Sequence, residues 1–145
     1  MNELAEFPVI VDVPVRWGDM DAYGHVNNAM YLTYFEVARL EYFSRLQLPG
    51  WTSPVGVGPI VHSTTCRYRL PVTVPDTLQV GARMKPASLA ADRFTVHSVA
   101  FSTRHQRVAA EGDCVVVVFD YASGQKSSVT DELRAAIARV EQRGA

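Results

Sequence analysis

Between Asn28 and Leu46 the chain contains neither Gly nor Pro, and Met30, Tyr31, Tyr34, Phe35, Ala38 and Tyr42 head a set of apolar residues that covers most of a helical circumference. Glu36, Arg39, Glu41 and Arg45 leave only a narrow polar stripe, which predicts a helix buried on nearly all sides. A helix over this stretch would be roughly 28 Å long, about the width of a small domain. The remainder of the chain therefore has to wrap around it. Asn27 or Asn28 is the expected N-cap, because an Asn side-chain oxygen can accept from the unpaired amides of the first turn.

What surrounds this helix reads as strand. Phe7 to Arg16 alternates Phe7, Val9, Val11, Val13 and Val15 against polar or kinked positions, the period of a strand with one buried face. Pro14 cannot donate to a ladder and places that strand at an edge or a bulge. After the turn-rich stretch from Pro49 to Pro59, four further strand-like runs follow: Ile60 to Leu70, Leu78 to Met84, Arg93 to Thr103 and Val108 to Tyr121. Their short connections predict antiparallel neighbours. Ala122 to Gln125 reads as a turn, and a short C-terminal helix begins near Thr130, with acidic residues in its first turn. The 145 residues fit one domain, 1–145, of class α+β: a five-stranded antiparallel sheet around one central helix, with a minor helix at the end.

Several functions are excluded at this stage. A net charge of −1 provides no broad basic field for a nucleic-acid backbone. No apolar run approaches the length of a membrane span, and the opening Met-Asn-Glu-Leu-Ala-Glu lacks the basic start and apolar core of a secretion signal, so a cytoplasmic protein is expected. Cys66 and Cys114 lie in separate strand-like runs without metal-ligand spacing; they read as buried reduced thiols, or as a disulfide if their strands are neighbours. His62, His97 and His105 share no ligand spacing, so neither a metal nor another cofactor is expected.

Polar chemistry is concentrated directly ahead of the helix, in Gly18-Asp19-Met20-Asp21-Ala22-Tyr23-Gly24-His25-Val26-Asn27-Asn28. A helix N-terminus carries unpaired N–H donors and a partial positive charge, and so can hold an oxygen that becomes negative during a reaction. A carboxylate beside it can attack a carbonyl or take a proton from water. Taken alone, an Asp next to Gly more often caps turn amides. The Asp-x-Asp-x-x-Gly-His-Val-Asn-Asn pattern, Pro59-Ile60-Val61, Tyr68 to Pro71 and Pro75 to Leu78 together resemble the hotdog-fold acyl-CoA thioesterases of the 4-hydroxybenzoyl-CoA and long-chain acyl-CoA type.

That resemblance implies that Asp21 is the catalytic carboxylate and that the backbone N–H of Asn28 polarises the thioester carbonyl. His25 is then a secondary contributor near the carboxylate. Tyr23, Gly24, Asn27 and Tyr31 are expected around the substrate, with Asp19 fixing the loop through hydrogen bonds or a pair with Arg16. CoA also needs cationic groups for its phosphates, and Arg67, Arg69, Arg83, Lys85, Arg93, Arg104 and Arg107 all fall on strands or loops of the sheet, with Arg67 and Arg93 the expected partners; the hydroxybenzoyl-type relatives carry adjacent arginines before the fourth strand, where this chain has Ala90-Ala91-Asp92 and then Arg93. The His-Val-Asn-Asn form of the motif is closer to the fatty-acyl relatives, and the resemblance implies a homodimer or homotetramer. A non-catalytic acyl-CoA or acyl-carrier-protein binding module and a hydratase are the competing readings.

Overall fold

In the computed structural model, residues 3–142 are described; Met1, Asn2 and residues 143–145 of the expected 1–145 domain lie outside them. Strand β1 (Val9–Pro14) leads into the loop before helix α1 (Met30–Leu46). Strands β2 (Val57–Thr64), β3 (Arg67–Tyr68), β4 (Thr77–Met84), β5 (Arg93–Ser102), β6 (Arg107–Asp120) and β7 (Gln125–Lys126) follow, then helix α2 (Asp131–Gln142). The five long strands run in the order β1-β4-β5-β6-β2, and every pairing is antiparallel. This curled sheet over one long helix is the α+β hotdog arrangement.

Two details of the sheet differ from the sequence expectation. Ile60 to Leu70 is not one strand: its register on β6 shifts between Val61 and Ser63, and the ladder is interrupted at Thr65 and Cys66, where Thr65 N–H still reaches the Asp113 carbonyl (2.8 Å), before β3 resumes opposite Glu111 and Ala110. The expected turn from Ala122 to Gln125 is a hairpin whose return strand, β7, pairs with Phe119 and Asp120. Two-residue strands carry no periodicity, so no pattern in the chain marks them. As expected, β1 with its Pro14 is an edge strand.

Alternation sends Phe94, Val96 and Ala100 of β5, Cys114, Val116 and Val118 of β6, and Leu78, Val80 and Ala82 of β4 into the core that faces α1. Tyr31, Tyr34, Phe35, Ala38, Tyr42 and Leu46 meet them from the helix. The polar stripe, however, is not where the sequence placed it. Arg39 is buried, with its guanidinium 3.8 Å from Glu36, whereas Leu32, Val37 and Leu40 are exposed. One apolar side of α1 is thus left uncovered by its own sheet.

The far end of α1 is closed by α2. The Thr130 hydroxyl accepts from Leu133 N–H (3.1 Å) and starts α2, and Arg139 of α2 donates to the Leu46 carbonyl at 2.9 Å. Glu141 accepts from both the Tyr42 hydroxyl (2.6 Å) and the Met84 N–H (2.9 Å), joining α2 to α1 and β4. The close approach of the turn after α1 to β2 requires two glycines: a Cβ on Gly50 would lie 1.7 Å from the Val57 carbonyl oxygen, and one on Gly58 would lie 1.9 Å from that of Gly50. Both thiols are free, which removes the disulfide option.

Candidate active site

The loop between β1 and α1 is organised by its first aspartate. Asp19 is 2% exposed, and its carboxylate accepts from the Arg16 N–H (3.0 Å), the Arg16 guanidinium (3.1 Å) and the Tyr34 hydroxyl (2.8 Å). The expected pair with Arg16 is therefore present, and Tyr34 adds a tie to α1 that spacing could not reveal. Burial alone would raise the Asp19 carboxyl, but the bonds from Arg16 N–H, Tyr34 and the Arg16 side chain outweigh it and hold the group below the ordinary carboxylate value.

A carboxyl whose folded value is depressed contributes stability that is present above its unfolded value, about 3.9, and is lost as pH falls through the folded one. Acid unfolding followed by circular dichroism is expected to show a drop in Tm below about pH 4 for the wild type. Asp19→Asn should be less stable at neutral pH and lose less on acidification.

On this base stands a small hairpin. Met20 and Val26 form an isolated antiparallel bridge, Asp21 N–H donates to the His25 carbonyl (3.0 Å), and Gly24 N–H donates to the Asp21 carbonyl (3.0 Å). Gly24 has φ +79°, a left-handed conformation that a Cβ would strain. Val26 N–H anchors the hairpin on the Val72 carbonyl at 2.8 Å. The Asp21 side chain is held by one bond, from Tyr23 N–H at 2.9 Å, and is otherwise exposed.

The helix start differs from the sequence expectation. Neither Asn27 nor Asn28 is the N-cap; that position is Ala29, without a side-chain cap. Asn27 instead accepts on Oδ1 from Ala29 N–H (2.9 Å) and on its carbonyl from Met30 N–H (2.9 Å), which tightens the chain one residue before the helix begins. Among the described residues the Asn28 N–H has no acceptor. An unpaired donor therefore stands at the positive end of α1.

Asp21, Tyr23, His25, Asn28 and Tyr31 line one cleft of about 430 Å³, closed on the other side by Val26 and the Tyr68 to Pro71 segment. The Tyr68 hydroxyl donates to the Asn28 carbonyl at 3.0 Å, and the Tyr68 ring meets Tyr31 edge-on at 5.5 Å. Burial, with Cys66 adding, pushes the Tyr31 hydroxyl up to about 12, so it remains a neutral wall of the cleft. Gly24 and Asn27 shape the loop but do not line the cleft.

Neither expected arginine enters the cleft. Arg93 is engaged by its neighbour Asp92 (2.9 Å), and Arg67 lines a different groove. The side chain that sequence reasoning missed is Tyr68, 40 residues from Asn28; only the likeness of Tyr68 to Pro71 to the thioesterase pattern pointed to that segment. Among the described residues no group of His, Cys, Asp or Glu is placed to hold a metal, and no helix is long and apolar enough to cross a membrane.

Comparisons with known proteins point the same way. A thioesterase of Thermus thermophilus, solved with coenzyme A and zinc, shares 31% identity and superposes with a TM-score of 0.83 over 94% of this chain and 96% of that one. A Pseudomonas aeruginosa protein shares 33% identity with a TM-score of 0.78, over 90% and 98% of the two chains. The long-chain acyl-CoA thioesterase FadM of Escherichia coli is 29% identical over 73 residues, 50% of this chain and 55% of FadM. The thioesterase-like superfamily itself matches residues 15–137, from the end of β1 into α2: the chain belongs to that superfamily.

Proposed function

We propose that the protein hydrolyses acyl-CoA thioesters to a free acid and CoA in the cleft at the start of α1. The observation that carries this reading is that Asp21 and Asn28 line the same recess and that nothing in the described chain accepts from the Asn28 N–H. The thioester carbonyl oxygen accepts the Asn28 N–H and gains negative charge as its carbon becomes tetrahedral, a change that the helix dipole favours. Asp21 supplies the other half. It either takes the proton of an attacking water or adds to the carbonyl itself, forming a mixed anhydride that water then opens. In both routes the C–S bond breaks, a C–O bond forms, and the departing thiolate takes up a proton. His25 and Tyr23 flank the carboxylate, and Tyr31 forms the inner wall.

The acyl group assigned here is aliphatic. The His25-Val26-Asn27-Asn28 form of the motif and the likeness to a long-chain acyl-CoA thioesterase support this. Free thiol measured over a series of acyl-CoAs tests it: fatty acyl-CoAs should turn over faster than hydroxybenzoyl-CoA, and the reverse order would overturn the assignment.

The assembly proposed is a homodimer or homotetramer. Leu32, Val37 and Leu40 of α1 are exposed, and so are Val57, Ile60 and Val61 of β2, whose outer edge pairs with no other strand among the described residues. A free strand edge with apolar side chains is a template for a second copy. Light scattering should give twice or four times the 16.0 kDa chain mass, and a monomer at working concentration would contradict it.

A further inference from the structure

On the outer face of the sheet, away from α1, lies a groove of about 440 Å³ that is separate from the cleft holding Asp21. Arg67, Arg83, Lys85, His97, Glu111 and Asp113 line it. Its two carboxylates are already engaged: Asp113 binds Lys85 Nζ at 2.9 Å and His97 Nδ1 at 2.7 Å, and Glu111 binds Arg69 Nε at 2.8 Å. Its two guanidinium groups are held less firmly: among the described residues one is unpaired and the other has only a long ion pair. Arg67 is exposed and has no side-chain hydrogen bond or ion pair among the described residues. Arg83 has a buried Nε with no acceptor, and the carboxylate it faces, that of the mostly exposed Glu6, is 3.7 Å from Nη1, beyond hydrogen-bond reach.

Arg83 is also held in place. Its guanidinium lies 5.4 Å from the centroid of the Phe7 ring. That ring is stacked on His97 and seated on Gly81, where an added Cβ would come within 2.7 Å of it. The Arg83 side chain is 23% exposed, and a fixed planar fork of donors matches the oxygens of a phosphate.

We infer that this groove is a binding site for a phosphorylated ligand, gripped by Arg83 and Arg67 with Lys85 at its rim. Two sources carry that chemistry. One is the phosphate-bearing nucleotide end of the acyl-CoA itself, since Arg67 and the cleft-lining Tyr68 are neighbours on the two-residue strand β3, facing opposite sides of it. The other is a free phosphorylated molecule bound independently of turnover.

Calorimetric titration of the full chain with adenosine 3′,5′-bisphosphate and with inorganic phosphate tests the site without any turnover. The wild type is expected to bind at least one of the two probes, more weakly as salt is raised, and Arg83→Gln and Arg67→Ser are each expected to weaken that binding by about tenfold or more. Arg67 is exposed and unpaired, so the second substitution tests the site even if the first disturbs the Phe7 stack.

The source is read from a ratio that rests on the proposed hydrolysis: kcat/KM for an acyl-CoA divided by that for the same acyl-pantetheine. A fall in the ratio in both variants assigns the groove to the substrate nucleotide; an unchanged ratio with lost phosphate binding assigns it to a free ligand. A wild type that binds neither probe, or variants that bind both as the wild type does, would overturn the inference and leave the Asp21 reading untouched.

Discussion

Asp21→Ala is expected to lower kcat for acyl-CoA hydrolysis by about a thousandfold, the scale set by removing a positioned acid–base group. Stability should change little. The carboxylate is exposed, makes one side-chain bond, to Tyr23 N–H, and the loop beneath it is held by Asp19 rather than by Asp21. The ordinary role of an aspartate in this position, capping a turn amide, is separated from the chemical role by Asp21→Asn. That variant keeps an oxygen for Tyr23 N–H but can neither hold a proton nor form an anhydride, and should be as inactive as the alanine variant. An active Asp21→Asn would reduce Asp21 to a turn residue. Trapping with hydroxylamine during turnover then distinguishes the two routes, because only an acyl group attached to Asp21 gives a modified enzyme.

The second large effect is expected at Asn28, and it should belong to the backbone. Asn28→Pro deletes a backbone donor at the helix start that nothing in the described chain accepts from, and should cost about 10²–10³-fold in kcat, the loss found when one oxyanion donor is removed. Met30 N–H donates to the Asn27 carbonyl and closes a turn in which residue 28 is the second residue, a position that favours proline. Asn28→Ala keeps the N–H and should lose far less, since the Asn28 side chain makes no cap at the helix start. Equal losses in the two variants would place the function in the side chain instead.

How much of this was legible depended on length scale. The long helix was legible as an apolar run without Gly or Pro that covers most of a helical circumference, β1 as a period-two alternation, and the other long strands as strand-like runs between turn signals. The strands β3 and β7 did not, because two residues carry no period. Arg39 was misplaced because the helix has few polar residues, so any charge on it reads as solvent-facing; in the fold Arg39 is covered and Leu40 is left bare.

The candidate site divided in the same manner. The stretch from Asp21 to Asn28 is local, so its motif could be read directly. The contacts that complete it are distant in sequence: Tyr34 on Asp19, Val72 on Val26 and Tyr68 on Asn28. The arginines were the least legible. A guanidinium's role is set by which carboxylate it meets, and only the fold shows Arg93 engaged by Asp92 at 2.9 Å while Arg83 has only Glu6 at 3.7 Å and Arg67 lines a groove unpaired among the described residues.

The most direct measurement of the central claim is simultaneous detection of thiol and acid from wild-type protein given a fatty acyl-CoA in excess. Multiple turnovers, with one CoA thiol released for each free acid, are the result expected of Asp21 and Asn28 acting on a bound thioester. Tight, saturable binding of the acyl-CoA, with the thioester recovered intact, would contradict it and make the chain a carrier of acyl-CoA rather than its hydrolase.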